Sequence, residues 1–205
     1  RIFFKLMTEI LVLYFSRHGS VASLAKAISH GVESIEGCSA RVRTVPAVSA
    51  NTEATEDSIP QSGPPYASAS DLEECDGIII GSPAYFGSMA APLKYFLDLT
   101  TPQWLTGALV NKPAAAFTSS SSFHGGQETA LFSMLVPLIH HGAILVGIPY
   151  TEENLNTTQT GGTPYGASHV SGQDSKMPFT DDEKKLCHAM GKRVATIARK
   201  LSLQS

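Results

Sequence analysis

From Asp76 to Gly81 the chain reads Asp-Gly-Ile-Ile-Ile-Gly, an apolar, β-branched run too short for a core helix and bounded by glycines. Such a run reads as a strand buried on both faces. It leads directly into Ser82-Pro83. Gly87 to Leu99 then places Met89, Leu93, Phe96 and Leu97 on one helical face, with Pro92 tolerable because it falls in the first turn. The same succession occurs twice more. Ile10 to Phe15 is stopped by Ser16 and Gly19 and followed by Val21, Leu24, Ala25, Ile28 and Val32 at helical spacing. Pro113 to Thr118 precedes a hydroxyl-rich and glycine-rich loop, Ser119 to Gly126, and then a helix from Gln127 to His140.

Two further strands complete a set of five. Ala40 to Val45 alternates as a half-buried or edge strand does, and Ala143 to Gly147 supplies a fifth. The last helix is announced by Thr180-Asp-Asp-Glu183, a capping box with acids in its first turn, followed by Leu186, Met190, Val194, Ile197 and Leu201 on one face. Strands alternating with helices indicate an α/β fold with an open parallel sheet covered on both faces. Pro46 to Ser70 and the acids from Glu53 to Asp76 read as a solvated surface segment, and Pro149 to Pro178 as an insertion that regular structure does not need.

Composition narrows the functional classes. Fifteen Lys plus Arg against 18 Asp plus Glu leave a net charge of -3, too mild for a nucleic-acid surface. At 205 residues one domain, residues 7–205, suffices, and residues 1–6 read as a remnant ahead of a natural start at Met7. The three cysteines, Cys38, Cys75 and Cys187, are far apart and form no CxxC pair, which argues against a disulfide framework or a zinc site and for the cytoplasm. No apolar run approaches membrane-spanning length, so membrane insertion is not expected.

In an open α/β sheet ligands sit beyond the carboxyl ends of the strands, where the three loops converge. Ser16-Arg17-His18-Gly19-Ser20-Val21 offers hydroxyls, a guanidinium and backbone N–H groups at a helix start, which suit a phosphate dianion. A turn in which Ser20 merely caps the helix would read the same. Neither GxGxxG nor GxxxxGK[ST] occurs, which disfavours a dehydrogenase fingerprint and a P-loop. Ser82 to Gly87 and Ser119 to Gly126 leave room for a flat ring, and Tyr85, Phe86 and the single Trp104 follow the strands closely enough to flank one. His140 and His141 end a helix, where one of them complements the dipole and the other is free to face a site. No histidine pair has metal-ligand spacing and no GxSxG elbow occurs, so neither a metal centre nor a serine hydrolase is expected.

These residues resemble the WrbA family of flavodoxin-like, FMN-dependent NAD(P)H:quinone oxidoreductases, over Ile10 to Leu201. The resemblance rests on Gly81-Ser-Pro-Ala-Tyr-Phe-Gly-Ser-Met89 leading to Phe96-Leu-Asp98, Gly125-Gly-Gln-Glu128, His140-His-Gly142 and, most specifically, Gly161-Gly-Thr-Pro-Tyr-Gly-Ala167. It implies a flavodoxin-like open twisted five-stranded parallel sheet in the order 2-1-3-4-5, with helices on both faces and a long insertion after or near the last strand. FMN phosphate would lie on Ser16, Arg17, His18, Gly19, Ser20 and Val21. The flavin ring would be held by Pro83, Ala84, Tyr85, Phe86 and Gly87 and by Ser119, Ser120, Ser121, Ser122, Phe123, His124 and Gly125.

By the same resemblance His140 would border the ring as the catalytic residue, orienting or protonating a quinone oxygen. Trp104 and His18 would contact substrate, and the sites would form where subunits of a homotetramer, or dimer of dimers, meet. NADH or NADPH would be the co-substrate, in two-electron quinone reduction by ping-pong hydride transfer through the flavin. This chain departs from the family at Arg17-His18-Gly19-Ser20, where relatives commonly have Met-Tyr-Gly-His, and at Ala84-Tyr85, where they often have Thr-Arg. Its third loop is one residue longer, with fewer glycines. The alternatives are a flavodoxin-type one-electron carrier and a flavin-binding interaction protein. A receiver domain would need acids after the first strand, where Ser16 and Arg17 stand.

Overall fold

A computed structural model describes residues 7–49 and 57–203. The expected remnant, residues 1–6, and part of the Pro46 to Ser70 segment lie outside the described residues. Among the described residues fourteen elements follow in chain order: β1 (Thr8–Tyr14), α1 (Ser20–Glu33), β2 (Cys38–Thr44), α2 (Ala69–Glu74), β3 (Gly77–Tyr85), β4 (Ser88–Met89) and α3 (Ala91–Asp98); then α4 (Thr101–Leu105), β5 (Pro113–Ser120), α5 (Gln127–His140), β6 (Ile144–Leu145), α6 (Asn154–Thr157), β7 (Ala167–Val170) and α7 (Asp181–Ser202).

The parallel sheet runs β2-β1-β3-β5-β6, the expected order 2-1-3-4-5 for its main strands; β4 is a short antiparallel return on β3. Alternation along each strand feeds two cores. Ile10, Val12 and Ile79 pack with Leu24, Ile28 and Val32 of α1 and with Leu186, Met190 and Val194 of α7. Leu11, Leu13, Ile78 and Ile80 pack on the other face with Leu93 of α3 and Leu131, Met134 and Leu138 of α5. Burial on both faces explains the unbroken apolar runs. α1 and α7 approach each other through glycines: a Cβ on Gly31 would lie 2.1 Å from the His188 carbonyl oxygen, and one on Gly191 2.1 Å from that of Ile28.

Two expectations are corrected here. The fifth strand is not Ala143 to Gly147 but only Ile144–Leu145, paired with Pro113 and Ala114. The chain leaves the edge at Val146, and β7 returns to pair Ala167 to Val170 with Phe117 to Ser120. The insertion therefore interrupts the edge strand rather than following it. The acidic segment is not simply solvated either. Asp71 is 3% exposed, and its carboxylate accepts from Arg41, Arg43 and the backbone N–H and hydroxyl of Ser68. Burial alone would raise its pKa; these hydrogen bonds and the Arg43 charge hold it below the usual carboxylate value.

All three cysteines are buried. Burial, reinforced by the Glu183 charge, pushes the Cys187 thiol far above its ordinary value. Ellman's reagent should therefore label the native chain slowly if at all, and label all three thiols once guanidinium unfolds it. Prompt native labelling would contradict this packing. Among the described residues no helix is long and apolar enough to cross a membrane.

Candidate functional site

Three loops meet at the carboxyl ends of β1, β3 and β5 and enclose a cleft of about 300 Å³. The first loop is shaped by Gly19, which is the N-cap of α1 in the left-handed region at φ 89° and makes no side-chain cap bond. Ser20 is thus the first helical residue rather than the cap. The first backbone bond into the helix runs from the Ser23 N–H to the Gly19 carbonyl, and the Ser16 hydroxyl accepts from the Ala22 N–H at 3.3 Å. The N–H groups of Ser20 and Val21 precede these bonds, at the positive end of the helix dipole.

The second loop is a two-residue hairpin: Tyr85 pairs with Ser88, and Phe86 and Gly87 both have positive φ, 52° and 74°. That is the turn a tight antiparallel return favours, but a phenylalanine there is strained. Its ring is fully exposed, at 110% of the reference area. Ser82 anchors the hairpin by accepting from the Ala90 N–H at 2.7 Å.

The third loop is braced from below. Gln127 Nε2 donates to the Ser120 hydroxyl oxygen at 2.9 Å, and that hydroxyl donates to the Ser122 carbonyl at 2.7 Å. A Cβ on Gly126 would lie 2.7 Å from the Gly87 Cα, so these two glycines let the second and third loops touch. Behind the loop, Ser171 donates from both its N–H and its hydroxyl to the Ser120 carbonyl.

The cleft wall is made of Ser16, Arg17, His18, Ser20, Val21, Pro83, Ala84, Tyr85, Ser119, Ser120 and Ser121, all expected from the sequence. Gly19, Phe86, Gly87, Ser122, Phe123, His124 and Gly125 belong to the same loops without forming that wall. Ser171 and Ser175 complete it. Sequence reasoning missed both, because only the return of β7 beside Ser120 brings them there. Among the described residues no carboxylate lines the cleft, while Arg17 and His18 do.

His140 and Trp104 are placed elsewhere. They line a second pocket of about 310 Å³ with Lys94, Leu97, Asp98, Thr100, Thr101, Pro137 and His141. Trp104 Nε1 donates to the His140 carbonyl at 2.8 Å. α5 has 14 residues and so runs about 20 Å from the third loop to His140. One chain therefore does not bring His140 and Trp104 to the cleft. His140 is exposed, whereas His141 is buried with Nε2 3.0 Å from the Thr100 hydroxyl. Burial first, and the neighbouring His140 charge second, lower the His141 pKa.

A larger groove of about 690 Å³ beside β2 is lined by Arg41 and Arg43 together with Glu9, Asp71 and Glu74. Arg41 is already engaged by all three of those acids. The groove is a structural ion-pair network at the sheet edge, away from the loops.

The model of the family described as NADPH-dependent FMN reductase matches residues 8–151. A protein named NAD(P)H dehydrogenase (quinone) from Gluconacetobacter diazotrophicus is 39% identical over 199 residues, spanning 96% of this chain and 100% of its own length. One of the same name from Trichlorobacter lovleyi is 37% identical over 208 residues, with 96% and 100% covered. Among solved structures, a flavodoxin, WrbA-like protein from Agrobacterium tumefaciens superposes with a TM-score of 0.66 at 21% identity, over 94% of this chain and 98% of that one. A flavodoxin from the domain Archaea gives 0.62 at 19%, over 94% and 99%. These two likenesses speak for the fold. With the family model covering both the first and the second loop, and relatives matched along nearly their whole length, this flavodoxin-like chain belongs to the NADPH-dependent FMN reductase family, among its NAD(P)H dehydrogenase (quinone) members.

Proposed function

We propose that the protein is a WrbA-type, FMN-dependent NAD(P)H:quinone oxidoreductase that reduces quinones to hydroquinones by two electrons. The observation that carries this reading is the cleft itself: hydroxyls, the open N–H groups of Ser20 and Val21, Arg17 and, among the described residues, no carboxylate, beside a second loop turned by a strained hairpin and a third loop in contact with it. That donor set fits the phosphate of FMN. The uncapped Gly19 is what keeps the helix start open to an anion rather than closed by its own side chain.

When bound, FMN supplies a centre that takes a hydride from nicotinamide and passes two electrons to a quinone. The chain's share is positioning. Ser16 to Val21 hold the phosphate, and the backbone of Pro83 to Gly87 and of Ser119 to Gly125 borders the ring. Tyr85, Phe86 and Phe123, exposed at 39%, 110% and 60%, offer apolar surface at the mouth. Phe86→Asn should leave stability unchanged or raise it by up to about 1 kcal/mol, because asparagine tolerates positive φ, while FMN binds more weakly. A clear loss of thermal stability would show that the ring packs within the free chain.

His140 and Trp104 take part, on this reading, from a neighbouring copy in a homotetramer. Phe132, Val136 and Ile139 follow one another along α5 and are 46%, 50% and 55% exposed, an apolar stripe unusual for a free surface. Val136→Glu with Ile139→Glu should shift sedimentation to a monomer and depress quinone turnover together. A fully active monomer would remove the shared site. Three buried cysteine thiols agree with a cytoplasmic setting.

The test of the whole reading is an anaerobic titration of the FMN-loaded protein with NADH and with NADPH, following the oxidised flavin band. Bleaching at one equivalent, reversed by quinone, is the expected result. Flavin that binds but stays oxidised with both would instead identify a carrier or a binding module.

A further inference from the structure

Among the described residues one buried side-chain nitrogen or oxygen lacks a hydrogen-bond partner: Nδ1 of His141. The residue is 7% exposed and forms part of the wall of the second pocket beside Trp104. A buried polar atom left unpaired is uncommon and calls for a reason.

Thr100 determines which ring nitrogen carries the hydrogen. Its Oγ1 lies 2.7 Å from the Leu97 carbonyl, and a hydroxyl has a single hydrogen to give. A carbonyl only accepts, so that hydrogen points to Leu97. The same Oγ1 lies 3.0 Å from His141 Nε2 and has only acceptance left to offer. The ring hydrogen therefore sits on Nε2, and Nδ1 is a bare acceptor. Burial first, and His140 second, lower the pKa of this ring and so favour its neutral form.

We propose that Thr100 is a positioning residue that fixes the His141 tautomer, so that Nδ1 accepts from an O–H or N–H of a flat neutral ligand seated against Trp104. This rests on the quinone oxidoreductase reading for the identity of the ligand. A hydroquinone carries two hydroxyl donors, whereas the corresponding quinone carries only acceptors and would face the lone pair of Nδ1. The carboxamide of a reduced nicotinamide shares the donor chemistry. The nitrogen is buried in the free chain, so seating the donor requires the pocket wall around His141 to move.

Two readouts test this on the 205-residue chain, with and without FMN. Long-range proton–nitrogen correlation on the 15N-labelled chain should show His141 with Nε2 protonated and Nδ1 bare. Thr100→Val should convert that signature to a mixture and Thr100→Ser should restore it. In anaerobic ligand-observed NMR titrations, durohydroquinone should bind about tenfold or more tightly than duroquinone, as sites built around a hydrogen bond reject analogues that lack it. That preference should vanish in Thr100→Val and in His141→Phe and return in Thr100→Ser.

A proton found on Nδ1, equal binding of the two ring forms in the wild type, or a preference untouched by Thr100→Val overturns the proposal. The wild-type tautomer needs no variant to fold. It is also read without turnover, so failure of the NADH titration leaves it intact and the two failures are told apart.

Discussion

Replacing Glu183 by leucine is expected to cost the fold about 3–5 kcal/mol, the range for removing one member of a buried charged network. The carboxylate is 1% exposed and gathers three stretches of chain. It accepts from the Gly161 N–H at 2.8 Å, from the Thr180 N–H at 2.8 Å and, more distantly, from the Val170 N–H at 3.4 Å, while His169 Nδ1 lies 3.0 Å away. Leucine fills the volume but leaves those buried donors unpaired. For a chain of this size the melting temperature should fall by about 10 °C. Glu183→Gln, which keeps one acceptor oxygen, should lose roughly half as much. A loss below 1 kcal/mol for leucine, measured by urea unfolding, would show that the insertion is held by something else.

The same residue makes a pH prediction whose sign can be worked out. Burial alone would raise the Glu183 pKa, but the hydrogen bonds from His169, Thr180 and Gly161 together with the His169 charge bring it below the ordinary value. Its stabilisation is thus complete above the unfolded value of about 4.3 and is lost as pH falls through the lower folded value. Asp71 acts in the same direction. His141, lowered by burial and by His140, also favours the unfolded chain as pH falls below about 6.5. Stability should therefore decline monotonically from pH 7 to pH 3. The Glu183→Leu chain should lose less of it across the acid limb, and parallel curves would contradict the assignment.

The second large effect is expected at Gly191, where the sign itself is diagnostic. Within a helix, glycine to alanine ordinarily gains about 1 kcal/mol. Here the added methyl would lie 2.1 Å from the Ile28 carbonyl oxygen, and backbone cannot turn aside as a side chain can. Gly191→Ala should instead destabilise by about 3 kcal/mol. Gly31→Ala, meeting the His188 carbonyl in the same interface, should behave alike. The double variant should cost less than the sum, because helices already pushed apart by one methyl accommodate the second. Stabilisation by either single change would mean that α1 and α7 do not pack at this distance.

Local chemistry made much of this architecture readable in advance. The capping box of α7 forms as expected, with the Glu183 N–H on the Thr180 hydroxyl and the Thr180 N–H on the Glu183 carboxylate. α5 spans Gln127–His140 as its periodicity implies. The central parallel strands are recognisable because burial on both faces makes the stretches Ile10 to Leu13, Ile78 to Ile80 and Ala114 to Phe117 continuously apolar. The cleft was likewise accessible, since a loop that ends a parallel strand and begins a helix is delivered to one edge of the sheet by topology alone.

What remained hidden depends on contacts between residues far apart in sequence. No local signal shows that Ala167 to Val170 rather than Val146 to Ile148 completes the edge strand, since either run pairs equally well until its partner on β5 is known. Ser171 and Ser175 enter the cleft only through that pairing. Arg41 and Arg43 on β2 make Asp71 a buried residue instead of one more surface acid. The length of α5 sends His140 to a pocket away from the cleft, where Trp104 of α4 meets it, and Thr100 across that pocket sets the state of His141. The sequence alone determined the central strands, the long helices and the loops between them, because periodicity and capping act over a few residues. Tertiary structure decided which of those segments meet and which nitrogen of a histidine is left to bind, because pairing, burial and proton placement are settled only by the partner across the fold.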